Sequence, residues 1–240
     1  MTTQTVLALS VLSQMLNFCV GRPALRFNMW IFDLDNTLYP PSRGLLAAVD
    51  DNIARYIARR TGMNIEESHA LRRRLWQTWG TTARGLLEEF GWSPDDYYSS
   101  IYVENVQDFL QKDAHLRSVL DSVPVSKAVF TNARPAHAKR VLGTLGIMEC
   151  FEFVVALPDD LVGKPDPRSF MRLRDRIGRE LENCILFDDS IAALDEAARH
   201  GMITVYAGTK PEVVSDYEIA SIDDLGRIVP ELIKRTDSGA

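Results

Sequence analysis

Met29-Trp-Ile-Phe-Asp-Leu-Asp-Asn-Thr-Leu38 is the stretch that decides the fold of this 240-residue chain. Met29 to Phe32 is apolar without alternation, the pattern of a strand buried on both faces of a parallel sheet. Carboxylates are tolerable only where such a strand leaves the core. Asp33 and Asp35 stand there, one residue apart, at the carboxyl end where open α/β sheets bind their ligands. Two acids so placed could bind a metal, exchange protons or close an ordinary turn, and the stretch alone leaves these readings open.

Downstream, the periodicity changes after Pro40-Pro41. Leu45, Val49, Ile53, Tyr56 and Ile57 recur at helical spacing up to about Thr61, and Gly62 supplies a stop. Further helices are predicted over Ile65 to Trp79 and Thr82 to Phe90, and Ser93-Pro94 caps and opens another. With no repeat, low-complexity tract or linker, 42–113 reads as a compact helical insert. After about residue 114 strands and helices alternate. Strands are predicted at Lys127 to Asn132, Phe151 to Ala156, Asn183 to Asp189 and Met202 to Ala207, with helices opening at Pro135 and Asp166-Pro167. With the strand at Asp33 this makes five. Ile219 to about Arg235 reads as a strand-like entry to a closing amphipathic helix. Such alternation predicts an α/β fold whose parallel sheet is covered on both faces, so Asp33, Thr131 and Asp188 share one carboxyl edge.

The composition bounds the function. A net charge of -6 argues against a chain that neutralises nucleic-acid phosphates, and 46% hydrophobic content fills a substantial core. Arg72-Arg73-Arg74 is read as a solvated helix face. Cys19, Cys150 and Cys184 are odd in number and widely spaced, which predicts neither disulfides nor zinc and fits a reducing cytoplasm. The apolar run Val6 to Val20 has no Lys or Arg before Arg22 and is shorter than a membrane span, so neither an anchor nor a signal peptide is predicted. Segment 1–28 is treated as an extension, with translation from Met29 as a hypothesis that sequencing the native amino terminus would test.

Four motifs in order resemble the haloacid dehalogenase superfamily of phosphohydrolases: Asp33-Leu-Asp-Asn-Thr37, Thr131-Asn132, Lys164-Pro165 and Asp188-Asp189-Ser190. The resemblance implies a Rossmann-like core (29–41 and 114–240) interrupted by a small helical type-1 cap (42–113). It implies that Asp33 is the nucleophile and forms an aspartyl-phosphate, and that Asp35 first donates a proton to the leaving alkoxide and then activates water. Thr131 and the Asn132 N–H would hold a phosphoryl oxygen, and Lys164 would neutralise charge shared with Asp33. Mg2+ would be bound by Asp33, Asp188, Asp189 and the Asp35 carbonyl, with Asp189 in direct contact and Asp188 acting through a water. Ser190 would cap the following helix.

Asp33-Leu-Asp-Asn-Thr-Leu-Tyr-Pro-Pro41, Gly80-Thr-Thr-Ala-Arg-Gly-Leu86 and Phe130-Thr-Asn-Ala133 with His137 resemble the pyrimidine 5'-nucleotidases within that superfamily. The implied partner is a small phosphorylated metabolite, a nucleotide such as UMP or CMP. Trp79 and Val103-Glu104-Asn105 depart from the subgroup's pattern, which leaves the substrate open. The alternatives are a phosphatase or phosphomutase acting on sugar phosphates, and a non-catalytic relative that only binds ligand. A dehalogenase has no alkoxide to protonate, so Asp35 counts against it.

Overall fold

The computed structural model describes residues 29–209 and 214–237. The readings of 1–28 lie outside the described residues.

The central strand β1 (Met29–Phe32) is buried throughout. It is followed by helices α1 (Leu45–Thr61), α2 (Ile65–Trp79), α3 (Thr82–Phe90) and α4 (Pro94–Ile101). Then come α5 (Ala114–Asp121), β2 (Ser126–Phe130), α6 (Pro135–Leu145), β3 (Phe153–Val155), α7 (Pro167–Ile177) and β4 (Cys184–Asp188). The chain closes with α8 (Ile191–Arg199), β5 (Ile203–Ala207), β6 (Tyr217–Ile219) and α9 (Leu225–Asp237). The six strands form one sheet in the order β3-β2-β1-β4-β5-β6, and every pairing is parallel.

The unbroken apolarity of β1 has its explanation in the two layers it separates. Trp30 and Phe32 point into one core with Leu116 and Leu120 of α5, Val141 and Leu142 of α6, and Leu232 of α9. Met29 and Ile31 point into the other with Phe170 and Leu173 of α7 and Leu194 of α8. Period-two alternation thus sends consecutive residues to opposite cores, both dry. Phe32 stacks on Phe187 of β4 with ring centroids 4.5 Å apart.

The chain leaves β1 for β2 and β3 on one side and later returns to lay β4, β5 and β6 on the other. The reversal opens a crevice at the carboxyl ends of β1 and its neighbours. The helices from α1 to α4 have a core of their own around Ile53, Ile57, Leu75 and Leu86, which also takes in Leu157 and Leu161 from the loop after β3. Gly85 lets α3 lie against α2, since a Cβ there would fall 2.8 Å from the Cβ of Leu75. Two elements depart from the sequence reading. The strand-like entry becomes a sixth strand that begins two residues earlier than expected, at Tyr217–Ile219, and α5, capped by the Asp113 side chain on the Leu116 N–H, has no counterpart among the predicted helices. Both are short, and short elements carry too few periods to stand out. No described helix is long and apolar enough to cross a membrane.

Candidate active site

The carboxyl edge of the sheet builds the site. The Asp33 N–H donates to the Phe187 carbonyl at 2.8 Å, carrying the β1 to β4 ladder one residue past the strand. This fixes the Asp33 backbone while its side chain emerges into the crevice. The chain then turns sharply, with Asn36 at a φ of 64°, a conformation that asparagine tolerates better than most residues. On the other side of β1, the Thr131 N–H donates to the Val155 carbonyl at 2.9 Å. Thr131 is buried, and its hydroxyl accepts from the Ala133 N–H at 3.0 Å.

Lys164 arrives from a loop, held by a reciprocal pair of hydrogen bonds. Its N–H donates to Asn132 Oδ1 at 2.7 Å, and Asn132 Nδ2 donates to its carbonyl at 2.8 Å. Gly163 makes that fork possible, because a Cβ there would stand 2.2 Å from Asn132 Oδ1. The side chain of Asn132, rather than only its backbone, is therefore what positions the lysine. The Lys164 ammonium is 5% exposed and donates to Asp33 Oδ1 at 2.7 Å and Asp188 Oδ2 at 2.5 Å. Asp188 Oδ1 accepts the Ser190 N–H at 2.8 Å. Ser190 caps α8 by accepting from the Ala193 N–H, as the sequence predicts. Asp189 takes a 3.3 Å hydrogen bond from Asn36.

Asp33, Asp188 and Asp189 each offer a carboxylate oxygen, and the three lie within 4.8 Å of one another. A set made only of hard oxygen donors suits a small divalent cation such as magnesium and not the softer metals that prefer nitrogen or sulfur. The Asp35 carboxylate stands apart from this group and accepts the Tyr39 hydroxyl at 2.5 Å.

Burial dominates the electrostatics. It pushes the Asp33 carboxyl well above its ordinary range; Lys164 opposes the shift, and Asp188, Asp35 and Asp189 reinforce it. Asp35 is raised as well, chiefly by burial and against the pull of the Tyr39 hydroxyl and of Lys164. Lys164 is raised: burial works against its charge, and the two carboxylates it bridges outweigh burial. Burial thus favours the protonated form of both aspartates, and of the two only Asp33 has the Lys164 ammonium hydrogen-bonded to it to support its charge.

The structure brings Asp33, Asp35, Thr131, Asn132, Lys164, Asp188 and Asp189 to one cavity of about 670 Å³. Its far side is formed by Leu46 of α1 with Arg72 and Trp76 of α2. Arg72 corrects the reading of its basic run. Arg73 and Arg74 are exposed, whereas Arg72 is half-buried and donates to Asp50 across the insert. Residue type does not distinguish it from its neighbours, and helical phase is the signal that could have done so. Leu71 and Leu75 flank it on the buried stripe.

Residues 29–201 match the family described as haloacid dehalogenase-like hydrolase. The chain is 24% identical over 235 residues to Phosphate metabolism protein 8 of Saccharomyces cerevisiae, covering 89% of this chain and 72% of that one. It is 27% identical over 188 residues to a phosphoglycolate phosphatase of Pectobacterium atrosepticum, covering 72% and 77%. Among solved structures, a hydrolase from Bacillus subtilis bound to magnesium superposes with a TM-score of 0.59 at 16% identity, over 85% of this chain and 99% of that one. That likeness bears on the fold alone.

Proposed function

The chain belongs to the haloacid dehalogenase-like hydrolase family, and on that footing we propose that it is a magnesium-dependent phosphomonoesterase that favours pyrimidine nucleoside monophosphates. The observation that carries the reading is the Lys164 ammonium lodged between Asp33 and Asp188 in a cavity that also holds Asp35. A phosphate dianion repels nucleophiles, so a buried cation beside a carboxylate meets both of its demands.

In the first step an Asp33 oxygen attacks phosphorus, the ester P–O bond breaks, and the leaving oxygen takes a proton from Asp35. Asp35 is suited to the task because burial favours its protonated form. In the second step Asp35, now ionised, takes a proton from water as that water attacks phosphorus and the Asp33–phosphorus bond breaks. Thr131 and the Asn132 backbone hold the phosphoryl oxygens, and Lys164 balances the charge they gather. Magnesium held by Asp33, Asp188 and Asp189, with the Asp35 carbonyl completing the set, would add positive charge against the same oxygens. On this reading Asp189 touches the ion and Asp188 serves through water, which agrees with both Asp188 oxygens being engaged by Lys164 and Ser190.

The helical insert 42–113 acts as a cap that excludes water and selects small leaving groups. The names of the yeast and Pectobacterium relatives, one in phosphate metabolism and one a phosphatase, support ester hydrolysis. The nucleotide preference rests on the likeness of the first motif, of Gly80 to Leu86 and of Phe130 to Ala133 with His137. Phosphate release across nucleotides, sugar phosphates and an aryl phosphate, with magnesium and with chelator, tests the reading. Magnesium-dependent release from UMP and CMP upholds it. Selective turnover of a sugar phosphate removes the nucleotidase, and no turnover of any ester by folded protein removes the enzyme.

A further inference from the structure

A smaller compartment of about 170 Å³ adjoins the catalytic cavity between the insert and the core. Asp35, Leu46, Arg72, Trp76 and Asn132 line both spaces. Asp33, Thr131, Lys164, Asp188 and Asp189 line only the larger one. If Asp35 passes its proton to the leaving oxygen, phosphate and leaving group lie on its two sides. The smaller compartment is then where the leaving group goes. The inference accordingly rests on the proposed function.

Two features define what this space would accept. The first is a pair of unmet hydrogen-bonding atoms. Arg72 Nε and His137 Nδ1 are buried and without a partner, and both residues line the compartment. A buried polar atom left unpaired is costly, so a ligand that supplies its partner gains what the empty fold forgoes. Arg72 Nε–H can only donate, and so calls for an acceptor such as a carbonyl oxygen. His137 lies parallel to the Tyr102 ring with centroids 4.1 Å apart, and burial keeps its imidazole neutral. A neutral imidazole can present Nδ1 as donor or acceptor.

The second feature is charge. Arg72 is already paired with Asp50, so it brings no uncompensated positive charge to this space. A second anionic group on the substrate would find there only a guanidinium whose charge Asp50 already balances. The walls include Trp76, Tyr98 and Tyr102, which favour a flat apolar face.

We propose that Asp50-Arg72 and His137 form a specificity site that takes an uncharged, planar, hydrogen-bonding leaving group, with Arg72 donating to a carbonyl oxygen. A pyrimidine base has this chemistry; a leaving group that carries its own carboxylate or phosphate does not. Arg72 and His137 are selectivity residues here and take no part in bond making.

The test compares kcat/KM for UMP, 2-phosphoglycolate and methyl phosphate, whose leaving group has no ring or carbonyl, in the parent, in Arg72→Gln and in His137→Phe, which retains a ring against Tyr102. Calorimetry of uridine binding accompanies it. The parent should prefer UMP to 2-phosphoglycolate by at least roughly 100-fold, and each variant should lower the ratio of UMP to methyl phosphate by roughly 10- to 100-fold. Uridine binding should weaken in both. If Arg72→Gln fails to fold because Asp50 is left unpaired, Asp50→Asn combined with Arg72→Gln replaces it. Equal turnover of 2-phosphoglycolate and UMP, ratios within twofold of the parent, or folded protein that does not bind uridine would each overturn the proposal. If no ester is hydrolysed and uridine still binds through these residues, the phosphatase reading fails and the site stands.

Discussion

Replacing Lys164 by methionine removes one charge and keeps most of the side chain's length. The ammonium is 5% exposed and touches two carboxylates, of which Asp188 is 1% exposed. Removing one member of a buried ion pair typically costs about 3–5 kcal/mol, because the partner's charge is left uncompensated. Each kcal/mol lowers the melting temperature of a domain of this size by about 2–4 °C, so Lys164→Met in chelator should melt roughly 6–20 °C below the parent. The deficit should shrink at low pH, where Asp33 gains a proton and the repulsion eases. Magnesium should restore part of it by supplying a cation to the same carboxylates, about 2.7 kcal/mol at one hundred times the dissociation constant. Thermal and urea unfolding of both proteins, each in chelator and in magnesium, would measure these terms. A variant that melts within about 1 °C of the parent in chelator would refute the idea that the lysine holds the acidic cluster together.

Three further outcomes follow from the same geometry. The fold holds the His137 imidazole down at about 4 against an ordinary 6.5, chiefly through burial and secondarily through Arg140. Below pH 6.5 the unfolded chain therefore takes up a proton that the native protein refuses, and stability falls as pH falls toward 4. The loss from this group should reach about 3 kcal/mol and be absent in His137→Phe; parallel unfolding profiles for the two proteins between these pH values would contradict it. Gly163→Ala would drive a methyl into Asn132 and Leu157, so it should cost about 1–3 kcal/mol and lower phosphate release more than tenfold by displacing Lys164, with retention of full activity as the contrary result. Asp35→Asn should slow both leaving-group departure and hydrolysis, by about 10²–10⁴ in kcat, and rapid-quench kinetics would show a normal turnover if the assignment were mistaken.

The elements with long, capped periodicity were legible in the sequence. Leu45 to Thr61 and Ile65 to Trp79 form helices with the predicted limits, because Gly62 and Gly80 end them and Asn64 caps the second with Glu67 in reciprocal bonds. Asp33, Thr131 and Asp188 came to one edge by topology alone, since parallel crossovers allow no other arrangement. The side-chain fork of Asn132 was not legible, for it depends on a loop 32 residues away and on the missing Cβ of Gly163. Nor was the place of Arg72 beside Asp50. Three consecutive arginines look alike until helix packing decides which one faces the core, and the phase set by Leu71 and Leu75 makes that decision. The bond from Tyr39 to Asp35 escaped notice for a related reason, as a tyrosine four residues along has meaning only once the loop turns back on itself.

Covalent phosphorylation of Asp33 is the step on which the proposed hydrolysis depends. Rapid acid quench during turnover of UMP, followed by borohydride reduction and mass spectrometry of the peptide spanning Met29 to Leu38, detects an aspartyl-phosphate by its conversion to homoserine. We expect reduction at position 33 alone, dependent on magnesium and lost in Asp33→Asn. Steady phosphate release with no labelled carboxylate, or with label on Asp35, would contradict the central claim.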